Sequence, residues 1–407
     1  MTASGPELRR ARVADSLAFA TQGFFFAVIL SHLPQQQDRF GLSDATIAAG
    51  ILLASALAGA GSVAAEHLAV RRSSQFTLRA GLLSIAVTGT AIAFAPGTAA
   101  LLAAMGAYGI ALGIVDASTN MQAVFVQRGY GTVILSSFYA AWSAGSIAGA
   151  LYVAGTEALE IALRPSLLGA VAVVLVAGFA LGPYLLDRRA AEADDAADTD
   201  VESGGGPVPR RLFLALGLAI ALVFAVDVSV GSWAALLLTE ELHTTSATAA
   251  LALACYQGAA LLARLGGDPL VRRQGPRAVL RGSAVLGAAG FAAVLLAPGP
   301  AIALIGFAVT GLGTGVIAPL CFGEAGALRS GAALDALVAR LNLFNYAGTL
   351  TAAVVVGGIT AALSYRAGFV VPLLCAALTL VLAAAFRRRA ESDGRGGARP
   401  ERVVLEP

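Results

Sequence analysis

Lysine is absent from this chain: all 27 basic residues are arginine. Charge of either sign is scarce, at 13% of 407 residues, where a soluble protein carries about one-quarter. Too few polar groups exist to solvate a globular surface. Cysteine and histidine are limited to three each. Cys255, Cys321 and Cys375 fall in apolar stretches and offer neither a disulfide framework nor metal-ligand spacing. His32, His67 and His243 are far apart in sequence, which argues against a metal site. The net charge of +2 is too small to argue for nucleic acid as a partner. No Walker motif is present, so ATP is not the expected fuel, and no nucleophile elbow points to an enzyme. Gly311-Leu-Gly313-Thr-Gly315 has the look of a nucleotide loop, but it lies inside an apolar run with no preceding strand, so close helix packing is the better reading. No cofactor is expected.

What the chain has in abundance is apolar side chain: 57% of residues, with a mean hydropathy of +0.78. A helix crossing a bilayer needs about 20 mostly apolar residues, because an unpaired backbone group in hydrocarbon costs several kcal/mol. Twelve stretches qualify: 14–33, 43–66, 77–95, 98–126, 134–155 and 166–186, then 211–238, 246–265, 278–297, 300–322, 336–361 and 366–386. Turns such as Ala95-Pro96-Gly97 and Pro298-Gly299-Pro300 are short and helix-breaking, so consecutive spans are antiparallel neighbours. Arg9-Arg10 ahead of an apolar run imitates a signal peptide, but no small-residue cleavage site follows before Pro34, which favours an uncleaved first span.

The arginines orient the spans. Twenty-two fall at the termini or in every second gap, only Arg39, Arg164 and Arg366 in the others, and Arg264 and Arg340 within spans. Cytoplasmic loops are enriched in positive charge. Both termini are therefore expected in the cytoplasm.

The chain also repeats at half length. Residues 66–81 align without a gap on residues 268–283, at an offset of 202: Glu66 on Asp268, Arg71 on Arg273, Arg79 on Arg281. At an offset of 200, Gly106, Leu112 and Gly113 of span 4 pair with Gly306, Leu312 and Gly313 of span 10. The expected architecture is an all-α membrane protein of twelve transmembrane helices in two pseudo-symmetric six-helix halves, residues 1–186 and 211–389. Residues 187–210 carry Glu192, Asp194, Asp195, Asp198, Asp200 and Glu202 before a Ser203-Gly204-Gly205-Gly206 run, and read as a disordered cytoplasmic linker; residues 390–407 read as a disordered tail.

These basic loops between spans 2 and 3 and spans 8 and 9 resemble the signature of the major facilitator superfamily, whose fold the whole chain would share. The first copy is degraded, with Val70 where the family has Asp; the second, Asp268-Pro-Leu-Val-Arg-Arg-Gln-Gly275-Pro-Arg277, is better preserved although Arg272 stands at that position. The resemblance implies that Glu66, Arg71, Arg79, Arg264, Asp268, Arg273, Arg277 and Arg281 belong to the gating loops; Arg264, at the end of span 8, is itself read as capping the cytoplasmic side, against Asp268. Asp116, Asn120, Gln122, Ser136, Ser137, Phe138 and Trp142 in spans 4 and 5 are similar to the bacterial MosC/YbjJ-like branch, as are Asp227 and Trp233 in span 7; Ser232 stands where the branch often has Asp.

An acid in the hydrocarbon layer costs at least ~2.5 kcal/mol unless it pairs or meets water. Asp227, 16 residues past Arg211, and Asp116, 12 residues before Arg128, are both deep at ~1.5 Å per residue. Burial favours the neutral form of a carboxyl, and exposure to two compartments in turn would let it load and release a proton. The alternative for each is a structural acid tied to hydroxyls or amides. Asp15 and Glu324 lie close enough to span ends for hydration to explain them. Arg340 is read as snorkelling to headgroups or pairing with a substrate anion. Gln22, Asn120, Gln122, Tyr139, Trp142, Trp233, Tyr256, Gln257, Asn342, Asn345 and Tyr346 are the candidate cargo contacts, amides to orient a ligand and aromatic faces to bury it. Spacings of three and four put Asn342, Asn345 and Tyr346 on one helix face.

The functional expectation is a monomeric secondary transporter of a small organic solute in the bacterial cytoplasmic (inner) membrane, with protons and the lipid bilayer as its other partners. Two alternatives stand beside it. One is natural-product or drug efflux by proton antiport, weakened because Gly145-Ser-Ile-Ala-Gly149 lacks the Gly-Pro pair of such exporters. The other is a non-transporting membrane receptor of the same fold.

Overall fold

The computed structural model describes residues 5–186 and 208–386. The expected linker, save residues 208–210, and the expected tail lie outside them. Among the described residues every regular element is helical. Six long helices form the first half: α1 (Gly5–Ser31), α2 (Asp44–Arg71), α3 (Ser74–Ala93), α4 (Thr98–Tyr130), α5 (Leu135–Ala158) and α6 (Leu163–Leu181). The second half repeats them as α7 (Arg210–Leu236), α8 (Ser246–Gln274), α9 (Pro276–Leu296), α10 (Pro300–Gly326), α11 (Gly331–Ala362) and α12 (Tyr365–Ala385). Eleven of the twelve are long and apolar enough to cross a membrane. The exception is α5, 24 residues long, whose Ser136, Ser137, Ser143 and Ser146 lower its hydropathy and whose polar side meets other helices rather than lipid. A short helix that the sequence reading left as a connection, Leu33–Phe40, opens on Pro34 and ends at Gly41, whose φ of 61° is left-handed.

The two halves use the same contacts. In the first, α1 packs on α5, α2 on α4, and α3 on α4 and α6; in the second, α7 packs on α11, α8 on α10, and α9 on α10 and α12. The repeat reaches single residues at an offset of 202. Ser43 and Thr245 cap α2 and α8 by accepting from Thr46 N (3.2 Å) and Thr248 N (3.3 Å). A Cβ at Gly109 or Gly113 would lie 2.1 or 1.9 Å from the carbonyl oxygens of Ala54 and Ala58; at Gly311 and Gly315 the corresponding atoms belong to Tyr256 and Ala260, at 2.1 and 2.7 Å. These close approaches correct the sequence register for α4 and α10. Gly113 corresponds to Gly315, not Gly313, which instead packs on Ser283 and Gly287 of α9.

Helix lengths move two predicted boundaries. The reading ended span 8 at residue 265, but α8 runs on to Gln274 through Pro269. It began span 1 at residue 14, but α1 starts at Gly5, so the polar stretch through Arg12 is helical and hid the true start.

The halves meet through α2 against α11 and α5 against α8, contacts that the pseudo-symmetry exchanges, with α4 and α10 between them. One buried cluster, including Ala11, Val124, Ile134, Cys321, Phe322 and Phe386, spans both halves toward the arginine-rich end. At the arginine-poor end the three exceptional arginines have local duties. Arg39 donates to Ala93 O and Ala95 O (3.5 and 3.2 Å) at the end of α3, and Arg366 donates to the corresponding Leu295 O and Ala297 O (2.6 and 3.2 Å) at the end of α9. A cation there neutralises the exposed carbonyls of a helix terminus. Arg164 stacks over Phe94, 5.7 Å from its centroid.

Candidate functional site

Asp116 on α4 is one point where the halves join. Its Oδ1 accepts from Gln22 Nε2 on α1 (3.0 Å). Its Oδ2 accepts from Asn342 Nδ2, Asn345 Nδ2 and Tyr346 Oη on α11, each at 3.0 Å. The helix face expected for those three residues thus converges on one oxygen atom. Asn342 Nδ2 also donates to Ser62 Oγ on α2 (3.0 Å). One turn along α4, Asn120 Nδ2 donates to the Asp116 carbonyl (2.8 Å) and its Oδ1 accepts from Tyr139 Oη of α5 (2.7 Å). Five helices therefore meet around one carboxylate.

Asp227 belongs to a second centre, wholly within the second half. Its Oδ1 accepts a hydrogen bond from Tyr256 Oη of α8, and that hydroxyl also bonds Thr314 Oγ1 of α10 (3.0 Å). Arg264 lies near Asp227. Its charge acts electrostatically on Asp227, Tyr256 and Tyr139, but its hydrogen bonds go to neutral groups: Nε to Gly315 O (3.2 Å) and Nη1 to Ser143 Oγ across the halves. The expectation that Arg264 caps the end of its helix against Asp268 is corrected by the length of α8: Gln274 ends that helix ten residues later.

Asp268 is committed elsewhere. Its Oδ1 and Oδ2 accept from Ser136 N (2.8 Å) and Ser137 N (3.0 Å), so an acid of one half caps α5 of the other. Arg272 Nη1 donates to Val133 O (2.7 Å), and Arg128 Nη1 to Arg329 O (2.8 Å). At the equivalent place in the first half, Glu66 pairs with Arg340 of α11 (2.7 Å) rather than capping a helix. The Arg340 side chain is 60% exposed, and an exposed pair contributes about 0–1 kcal/mol. Arg340 thus neither snorkels alone nor reaches the centre. Arg71, Arg79, Arg273 and Arg281 are exposed and Arg277 half-buried, and none enters these cross-half contacts.

Other candidates scatter. Gln122 turns away from the centre, donating to Ser74 Oγ (2.9 Å) and Leu186 O (3.1 Å) and accepting from Leu186 N (3.2 Å). Trp142 is half-buried with Phe26 6.0 Å from its ring; Trp233 is half-buried beside Gly357, and Gln257 is exposed on α8. Asp15 overturns its reading. It is 0% exposed and neither carboxylate oxygen has a hydrogen-bond partner, because α1 continues ten residues beyond it toward the arginine-rich end. Ser62 and Ser143 were not singled out from sequence; no spacing signal marks a lone serine in an apolar helix.

Every cross-half hydrogen bond named here lies at the arginine-rich end or in the central layer. The geometry is that of two bundles fastened at one end. Residues 216–406 match the family model for the Major Facilitator Superfamily. An uncharacterized MFS-type transporter of Yersinia pestis is 28% identical over 386 residues, covering 93% of this chain and 95% of that protein. Among solved structures, the E. coli fucose:proton symporter FucP in the outward conformation superposes with a TM-score of 0.73 at 16% identity, covering 94% of this chain and 99% of its own. The human organic anion transporter MFSD10 gives 0.75 at 14% identity, covering 93% and 100%. The chain therefore has the twelve-helix fold of the major facilitator superfamily.

Proposed function

We propose that this chain is a secondary transporter of the major facilitator superfamily, in its MosC/YbjJ-like branch, that carries a small organic solute across the bacterial cytoplasmic membrane and couples the movement to protons. The observation that carries this reading is the pair of acids in the central layer, Asp116 and Asp227, in a molecule whose described cross-half hydrogen bonds lie in that layer or at the arginine-rich end. The arginine-rich end faces the cytoplasm, as the positive-inside rule requires. In this state the cytoplasmic side is shut, in keeping with the outward conformation of FucP. The halves, residues 1–186 and 211–389, rock about the centre on the 187–210 linker, and Asp227 takes up and gives off the proton as its surroundings alternate. FucP moves fucose with protons and MFSD10 moves organic anions, which supports a small organic cargo. The protein acts as a monomer.

Proteoliposomes loaded from a solute library, with and without an imposed pH gradient, test this. The expected outcome is uptake that the gradient drives, and loss of the gradient's effect in Asp227→Asn while that variant stays folded. Transport indifferent to the gradient removes proton coupling. Binding without movement of any solute favours the receptor alternative.

A further inference from the structure

We infer that Arg264 is the anion anchor of the central site and that the cargo is an organic carboxylate, a reading that rests on the transport function proposed above. Arg264 is 8% exposed. A guanidinium has five N–H donors, and the two hydrogen bonds to Gly315 O and Ser143 Oγ leave three without an acceptor among the described residues. No acid among the described residues forms an ion pair with it, although Arg340 and Arg366 each have one. A buried charge with no acid in direct contact is costly to keep.

The neighbouring acids do not compensate it by contact. Asp116 is saturated by four neutral donors, and Asp227 is turned to Tyr256. Closure does not need the charge either. The repeat places Ser62 at the equivalent position of α2, 202 residues earlier, and there a hydroxyl bonded to Asn342 does the same packing. Arg264 is therefore surplus to the seam it sits in.

Its position explains the surplus. Along one stripe of α8, Asp268 and Arg264 are sealed against α5, while Gln257, two turns further from the cytoplasmic end, is exposed. Arg264 thus lies where this stripe passes from buried to exposed. Its planar fork matches the two oxygens of a carboxylate.

The test is thermal-shift and calorimetric titration of the purified protein with lactate, gluconate, benzoate and indole-3-acetate, each against its own amide. At least one acid should bind about tenfold or more tightly than its amide, and Arg264→Gln should abolish the difference. Arg264→Lys, which keeps the charge and loses the fork, should weaken binding about tenfold. Equal binding of acid and amide, or no binding by any of the four acids, overturns the inference, and neither result requires a variant to fold. Gradient-driven transport of a neutral or cationic solute at equal rates in wild type and Arg264→Gln would also overturn it while leaving the transport function standing. Acid-selective binding with no movement of any solute would uphold the anchor and sink the transport reading instead.

Discussion

At Asp116, a single carboxylate satisfies four donors, and three of them come from α11. Asp116→Ala strands those donors in a buried layer and should cost about 3 kcal/mol, read as a lower melting temperature in detergent. Tyr346→Phe removes one donor of four and should cost only about 1 kcal/mol. Equal losses in the two variants would mean that water, not α11, satisfies the carboxylate. Asp15 should behave in the opposite sense. With both oxygens unpartnered, Asp15→Leu exchanges an unsatisfied polar group for an apolar one and should raise the melting temperature, by about 1–3 kcal/mol of stability; a fall would reveal a partner that Asp15 finds only when the halves rearrange. Asp116, Asn342, Asn345 and Tyr346 were legible because polar side chains stand out in apolar helices and a spacing of three and four shares a face. Asp15 was misread because Glu7 through Arg12, polar in sequence, extend the helix past it.

The helices themselves were nearly all visible as apolar stretches, since hydrocarbon demands length and composition together. Sequence could not show how they touch. The α1–α5 contact closes to backbone distance, where a Cβ at Gly145 would lie 1.9 Å from Ala20 O, and in the α7–α11 contact a Cβ at Gly348 would lie 2.0 Å from Ala221 O. Gly145→Val and Gly348→Val should each destabilise their own half by about 1–3 kcal/mol by forcing the helices apart; thermal unfolding that changes in neither would refute the packing. The α5 terminus also carries a conformational prediction. Asp268→Asn keeps the side chain's shape but removes the charge from the helix N-terminus, weakening closure by about 0.3–1 kcal/mol.

For the whole molecule, Cys321 is a native reporter, because it is fully buried in the cluster that both halves share at the closed end. In a background with Cys255→Ser and Cys375→Ser, it should resist a maleimide in the state described here and, on the proposed transport cycle, react once the arginine-rich end opens. Asp268→Asn should speed that reaction several-fold, and an unchanged rate would mean that the cap does not hold the halves. Two-fold organisation was legible from the repeated basic loop, but the register of α4 against α10 was not, because glycine recurs often enough in such helices to align at more than one offset; only the carbonyl each glycine meets distinguishes them. On α8, Asp268 grips the neighbouring bundle and Arg264 sits one turn away on the same rod. If Arg264 holds the cargo as inferred above, loading and unlatching would be strokes of a single lever.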